Sequence, residues 1–463
     1  MSTLTAAGSR AAVRARWAVL AVVLFASILD LLDATITNIA APTIAADLGG
    51  GAALVQWLGA SYSLAMGVLL VVGGRLGDKF GRRRLFLIGI TGFTVASIAC
   101  GVAFDPSSVI VFRVLQGGFG ALLIPQGFGI LAAVFPRDEL AKAFGVFAPA
   151  LGLSAIGGPL LAGFLIDADL FGLGWRSMFL INIVLGGLAI GLAVRLLPRD
   201  SGDRGVAVDG LGSGLLAAAM LGVLYGLIDG AAHGWSAGPV LSFVAGLVFF
   251  VLFGLRQRAA TSPLIEPSLL RNRGFTSGLL LGLVYYAATS GLLFVLSLYL
   301  QDVLHRSPAQ TSLGLAPIAA GIIVASIAAH QLLARLGRKL VAIGLGLTLI
   351  GTLTLLALVA AAEPAPWMLI APVFLTGLGL GACFGSIYQV TLGDIDPSES
   401  GSASGSLSAV QQLANSLGAA AVTTVYFHTT GGATAALATV AGITAVCCVV
   451  VRLLPRHALR ESH

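Results

Sequence analysis

Asp30 and Asp33 lie three residues apart in an apolar run near the start of the chain, with Thr37 four residues further on. Arg113 lies inside another such run. On a helix the spacing i, i+3, i+7 lines Asp30, Asp33 and Thr37 along one face. Carboxylates one turn apart in a low dielectric repel when both are ionised, and desolvation adds to the repulsion, so the pair favours holding a proton. Groups that exchange protons near neutral pH are what proton coupling needs. Charges within membrane spans are costly and mark functional sites, and an unpaired guanidinium at that depth would be very unfavourable. Asp33 stands sixteen residues after Trp17, about 24 Å along a helix, and Arg113 enters about six residues, or roughly 9 Å, from the other end. Across a core of about 30 Å the two reach similar heights. The expected chemistry is a proton carried by Asp33, with Arg113 its alternating partner and Asp30 a modulator. A purely structural ion pair is the other reading of Asp33 and Arg113.

The elements that hold these residues follow from composition. The 463 residues are 57% hydrophobic and 10% charged, with a net charge of +6 and a mean hydropathy of +0.98. Soluble domains carry about 25% charged residues, so a polytopic all-α membrane protein is expected. The cations sit between apolar runs and are no nucleic-acid footprint. A span needs about 20 apolar residues, and fourteen are predicted, at 17–41, 53–74, 84–104, 107–134, 140–166, 176–197, 210–229, 238–256, 275–301, 311–334, 339–361, 366–392, 400–427 and 434–454. The segment Gly73 to Arg84, GGRLGDKFGRRR, is too short to cross a bilayer and carries five cations, which places it in the cytoplasm. All Lys and Arg except Arg113, Arg176 and Arg306 then fall on that side, and an even span count puts both termini there. Trp17, Trp175, Trp235 and Trp367 fall near span ends and suit an interfacial belt. Cys100, Cys383, Cys447 and Cys448 lie in apolar runs without metal-ligand spacing. No metal or cofactor is expected, the proton gradient being the energy source.

The chain also repeats itself. Residues 117–159 resemble 377–420, and the basic segment has a degraded echo at 332–344 that keeps Gly337, Arg338 and Lys339. Two six-span halves related by an axis along the membrane normal are the expected architecture. The organisation reads as an N-terminal tail at 1–16, one bundle at 17–199, two inserted spans at 200–262, a second bundle at 263–455 and a C-terminal tail at 456–463.

Several stretches carry a family resemblance. Gly74-Arg75-Leu76-Gly77-Asp78-Lys79-Phe80-Gly81-Arg82-Arg83 resembles the signature loop of the major facilitator superfamily. Leu32, Asp33, Thr35, Asn38, Ala40 and Pro42 match the first-span motif of its fourteen-span drug/proton antiporters, whereas Asp30 is additional. Arg113, Gln116, Gly117, Gly120 and Ala121 match the fourth-span motif, with one extra glycine at 118. Gly158, Pro159 and Gly163 fall in a stretch that resembles the fifth-span motif of exporters, and Gln412, Leu413 and Gly418 match a thirteenth-span motif. The resemblance implies a major facilitator fold and a latch built from Gly74, Gly77, Asp78, Gly81, Arg82 and Arg83, with Gly158, Pro159 and Gly163 in close helix packing.

The expected function is proton-coupled export of lipophilic small molecules across a bacterial inner membrane, by a monomer without nucleic-acid partners. Candidate cavity residues are Asn38, Gln56, Trp57, Tyr62, Gln116, Gln126, Tyr285, Tyr286, Tyr388, Gln389, Gln411, Gln412 and Asn415. Each has packing within a hydrogen-bonded core as its alternative. An uptake symporter and a non-transporting sensor are the competing classes. An enzyme is not expected, since no nucleophile triad or phosphate loop is present.

Overall fold

The computed structural model describes residues 2–136, 139, 154, 157–158, 160–205, 209–260, 263–265, 267–361, 364–392, 395 and 400–454. Those residues are helical, with no strand among them. Twelve helices among them are long and apolar enough to cross a membrane. Two predicted spans do not join that count. Residues 140–153 lie outside the described residues, as does the C-terminal tail. The segment 400–427 does form a helix, Ser400–His428, but Gln411, Gln412 and Asn415 make it too polar to pass the same test.

The first helix, α1 (Ser2–Leu48), runs through Pro42 without a break, beyond the predicted end at 41. Neighbouring helices can satisfy the carbonyl that a proline leaves free in a membrane helix. Next, α2 (Gly51–Phe80) continues well past the predicted end at 74. Most of the signature segment is therefore helix rather than loop. A single residue, Gly81 at φ +96, turns the chain into α3 (Arg82–Gly101). The other glycines of the segment are packing sites. A Cβ on Gly73 would meet the Ala121 carbonyl, and one on Gly77 would meet the side chain of Gln126.

The start of α4 (Pro106–Gly120) is fixed locally. Asp105 accepts from Ser108 N at 2.9 Å, the Ser108 hydroxyl reciprocates at Asp105 N, and Pro106 occupies the first turn. Arg113 follows seven residues later, about 10 Å along the axis. A break at Ala121 and Leu122 divides the predicted span 107–134 into α4 and α5 (Leu123–Val134). Similarly α6 (Arg176–Leu180) and α7 (Asn182–Leu196) meet at Ile181.

The insertion forms α8 (Gly210–His233) and α9 (Ala237–Ala259). These pack on each other through Gly222, Gly226 and Gly246, where backbone meets backbone. α8 also packs on α2. The short α10 (Pro267–Arg271) precedes α11 (Arg273–Leu298), α12 (Pro308–Leu336), α13 (Arg338–Ala361), α14 (Pro366–Leu392), α15 (Ser400–His428) and α16 (Gly432–Val450). Gly337, at φ +51, joins α12 to α13 as Gly81 joins α2 to α3. Arg338 then donates to the carbonyls of Arg452 and Leu454 at 2.9 and 3.0 Å. Arg83 donates to the Val194 carbonyl at 2.7 Å in the corresponding place.

The two parts of the chain meet along α2 and α15, where Ser416 donates to the Ala60 carbonyl at 3.0 Å and Gln56 to Thr424 at 3.4 Å. They meet again away from the signature segment. Ser297 donates to the Asn38 carbonyl at 3.1 Å, Gln301 to that of Ile39 at 3.2 Å, and Ser307 to Asp167. Trp175 departs from the belt expectation. It is 3% exposed and its indole donates to Asp47 at 3.0 Å beneath Arg176, so it serves packing rather than the interface.

Candidate functional site

Asp33, 2% exposed, and Arg113, 1% exposed, form a buried salt bridge between α1 and α4. Gln116, one turn after Arg113, completes the contact on both sides. Its carbonyl oxygen accepts from Arg113 Nη1 at 2.7 Å and its amide donates to Asp33 Oδ1 at 2.8 Å. Asn182, the first residue of α7, donates to the same Oδ1 at 3.4 Å and to Ser97 Oγ at 2.7 Å. Ser97 in turn donates to the Phe179 carbonyl at 3.2 Å. Asp33 thus gathers donors from two helices.

Asp30, 5% exposed, takes a different partner: the hydroxyl of Tyr62 on α2 donates to it. The ring of Tyr62 lies 4.4 Å from the Arg113 guanidinium, centroid to Cζ, and that of Phe179 5.9 Å away. The aromatic faces attract the cation and exclude water from it. One continuous polar chain therefore runs from Asp30 through Tyr62 and Arg113 to Asp33, Gln116, Asn182 and Ser97. The glycines of α4 make it possible. A Cβ on Gly120 would lie 2.8 Å from Asp30 Oδ1 and 3.0 Å from the Tyr62 hydroxyl, and one on Gly117 would collide with the Tyr62 backbone.

Tyr62→Phe keeps the ring over Arg113 and removes the hydroxyl from Asp30. Leaving a buried acceptor without its donor costs about 1–3 kcal/mol. The variant is expected to melt several degrees lower in detergent, with its helical content unchanged by circular dichroism. An unaltered melting temperature would show that this hydrogen bond carries no weight.

Tyr62 and Gln116, expected in a substrate cavity, instead belong to this charge network. Gln126 is also displaced from that expectation. It lies where α5 meets α2 and donates to the Gly73 carbonyl at 2.7 Å, beneath the signature segment. Trp57 packs with the cluster of Leu216, Met220, Leu224 and Leu413 where α8 meets α2 and α15, so it holds the insertion in place. Tyr285 donates to the Leu380 carbonyl at 3.0 Å, a core contact. Gln56 is buried in the α2–α15 seam, and the Asn38 carbonyl serves the α1–α11 contact. A smaller group does come together. Tyr388 bonds Ser408 and Gln411 at 2.9 Å each, Asn415 donates to Gln412 at 3.1 Å, and Gln412 to Met66 at 3.0 Å. Tyr286 stacks edge-on against Phe384 with its hydroxyl unpartnered among the described residues, and Gln389 is exposed on the same helix as Phe384.

Sequence reading missed Asn182 and Ser97. Asn182 was visible as an amide inside the apolar run FLINIVLGGLAI, and the argument applied to buried charges extends to it in weaker form.

In the signature segment Asp78 pairs with Arg82 at 2.9 Å, and Arg82 also donates to the Gly129 carbonyl at 2.7 Å. Asp200 caps the start of α3, accepting from the backbone amides of Arg82 and Arg83. Asp203 N donates to the Asp78 carbonyl at 2.7 Å. In the fifth-span stretch, a Cβ on Gly158 would collide with Thr35, two residues from Asp33. A Cβ on Gly163 would lie 2.7 Å from the Pro308 carbonyl at the start of α12. Pro159 lies outside the described residues.

The helical membrane body thus holds a buried acid–base pair and, separately, a tight basic hairpin. The profile of the Major Facilitator Superfamily matches residues 23–419. The chain belongs to the major facilitator superfamily. Among relatives, a probable actinorhodin transporter of Streptomyces coelicolor is 43% identical over 92% of this chain and 75% of its own length. A puromycin resistance protein of Streptomyces alboniger is 34% identical over 91% and 83%. A tetracenomycin C resistance and export protein of Streptomyces glaucescens is 33% identical over 87% and 74%. Among solved structures, a peptide transporter in complex with sulfate superposes with a TM-score of 0.69 at 17% identity, covering 94% of this chain and 95% of that one. The xylose transporter XylE from E. coli gives 0.64 at 13%, covering 94% and 96%. Those likenesses concern the fold. This superfamily member is a multi-pass membrane protein of a transporter family.

Proposed function

We propose that the protein exports lipophilic small molecules across the cytoplasmic membrane in exchange for protons, by alternating access. The observation that carries this reading is the buried network of Asp30, Tyr62, Arg113 and Asp33. A membrane protein has little reason to bury two acids and a base unless ions move there. The names of the Streptomyces relatives, a probable transporter, a resistance protein and a resistance and export protein, support the direction and the substrate class. We place the signature segment and both termini in the cytoplasm, on the positive-inside bias, and count fourteen spans. These are the twelve apolar helices, α15, and the segment around 140–166. Two six-span bundles and the inserted α8 and α9 are the corresponding division.

In this cycle Asp33 carries the proton and Asp30, held by Tyr62, modulates it. Asp33 becomes available when α4 carries Arg113 away. The hairpin around Gly81, with Asp78, Arg82 and Arg83, acts as the cytoplasmic latch, and Gly158 and Gly163 seal the opposite side against α1 and α12. The polar group of Tyr388, Gln411, Gln412 and Asn415 contributes to the substrate path with Tyr286 and Gln389.

The test is transport in proteoliposomes with an imposed pH gradient, using a lipophilic cationic dye and an amphipathic antibiotic as probes. The expected result is substrate movement opposite to the proton flow, which stops when a protonophore collapses the gradient. Movement of substrate together with protons, or transport indifferent to the gradient, would replace this reading.

A further inference from the structure

The cytoplasmic ends of α3 and α7 border an open cleft of about 550 Å³, in which Arg84 and Arg199 have no part in the transport cycle. It is lined by Arg83, Arg84, Leu87, Ile88, Arg199 and Asp200. The one acid there is already committed, since both Asp200 oxygens accept from the amides at the start of α3. The cations are not. Arg84 and Arg199 are exposed and make no hydrogen bond or ion pair among the described residues. Arg83 reaches the Val194 carbonyl through Nη2, but its Nε is buried without a partner. Three guanidiniums thus line the cleft with one carboxylate, whose oxygens are engaged by backbone donors.

The cleft also has an apolar side. Ile88 is 43% exposed and Val95, two turns further along α3, is 60% exposed. On α7, Val194 and Leu188 are likewise exposed, and nothing stands over Gly187 or Gly191. These surfaces face hydrocarbon and run from the cleft into the bilayer. A soluble anion has no use for them, whereas a lipid uses both parts. Basic pockets at the cytoplasmic ends of membrane helices suit anionic head groups, with each Lys or Arg contributing favourably. We infer that this cleft binds the phosphate of an anionic glycerophospholipid through Arg84, Arg199 and Arg83, with an acyl chain lying along α3 and α7. The inference takes only its leaflet from the proposed orientation. Because its readout is lipid binding and not transport, failure of either reading is separately visible.

The experiment is native mass spectrometry of the purified full-length protein with matched-chain phosphatidylglycerol and phosphatidylcholine in competition. Arg84 and Arg199 together correspond to roughly thirtyfold of the preference for the anionic lipid. The variant Arg84→Gln/Arg199→Gln is expected to lose most of that thirtyfold factor, with Arg83 left in place. Arg84→Lys/Arg199→Lys keeps the charge and is expected to retain most of it, and the remote control Arg271→Gln/Arg335→Gln all of it. Melting temperatures establish that each variant is folded. Millimolar inorganic phosphate and glycerol 3-phosphate are expected not to displace the lipid. An undiminished preference in the double glutamine variant overturns the assignment, and so does displacement by either soluble phosphate, which would mark the cleft as a site for free anions.

Discussion

If the proposed cycle holds, Asp33→Asn is expected to bring export in an imposed pH gradient down to the leak of empty vesicles. Asparagine preserves the shape and can still accept from Gln116 and Asn182, which are 2.8 and 3.4 Å from Asp33 Oδ1. What it removes is the charge opposite Arg113. Breaking a buried ion pair from one side costs about 3–5 kcal/mol, because the surviving ion is left uncompensated. The single variant therefore loses stability as well as transport, and its silence alone would be ambiguous. Asp33→Asn/Arg113→Gln removes both charges and is expected to regain most of the lost melting temperature while transport stays at the leak rate. That separation is what assigns the pair to proton coupling rather than to scaffolding. Near-normal export by the double variant, in the same pH-gradient assay, would reduce Asp33 and Arg113 to a structural couple.

The second large effect comes from two adjacent glycines with opposite expected outcomes. A side chain on Gly117 runs into the backbone of Tyr62, which belongs to another helix and cannot turn aside. At Gly118 the nearest atom is Leu69 Cδ1, 3.3 Å away, the end of a flexible side chain. Overpacking a tight contact costs about 1–3 kcal/mol and sometimes more. Gly117→Val is expected to lower the melting temperature by many degrees and to abolish transport, because it separates α2 from α4 and so Tyr62 from Arg113. Gly118→Val is expected to change both little. The comparison is made by intrinsic tryptophan fluorescence on heating. Equal losses at the two positions would mean that the α2–α4 contact does not set the geometry of the site.

The contrast between these glycines also measures how far the residues alone could be read. Asp33 and Arg113 were matched in advance because charges in an apolar chain are few, and helix rise fixes their depth. Neutral polar groups give no such leverage. Asn182 and Ser97 escaped notice because an amide or hydroxyl in a span costs far less than a charge. Gln126 and Trp57 were assigned to a cavity because both look anomalous in an apolar run. The structure places Gln126 against Gly73 and Gly77, and Trp57 under the insertion, contacts between segments remote in sequence that no local pattern encodes. The signature segment was legible as a basic hairpin but not as a helix end. Its glycines admit both a turn and a close approach, and only Gly81 uses the positive φ.

That single-residue joint has a mechanical corollary. Two rods linked through one residue have almost no slack between them, so α2 cannot slide lengthwise without dragging α3. Gly337 imposes the same bond on α12 and α13. Each of these pairs therefore moves as one stiff plate, α2 with α3 and α12 with α13.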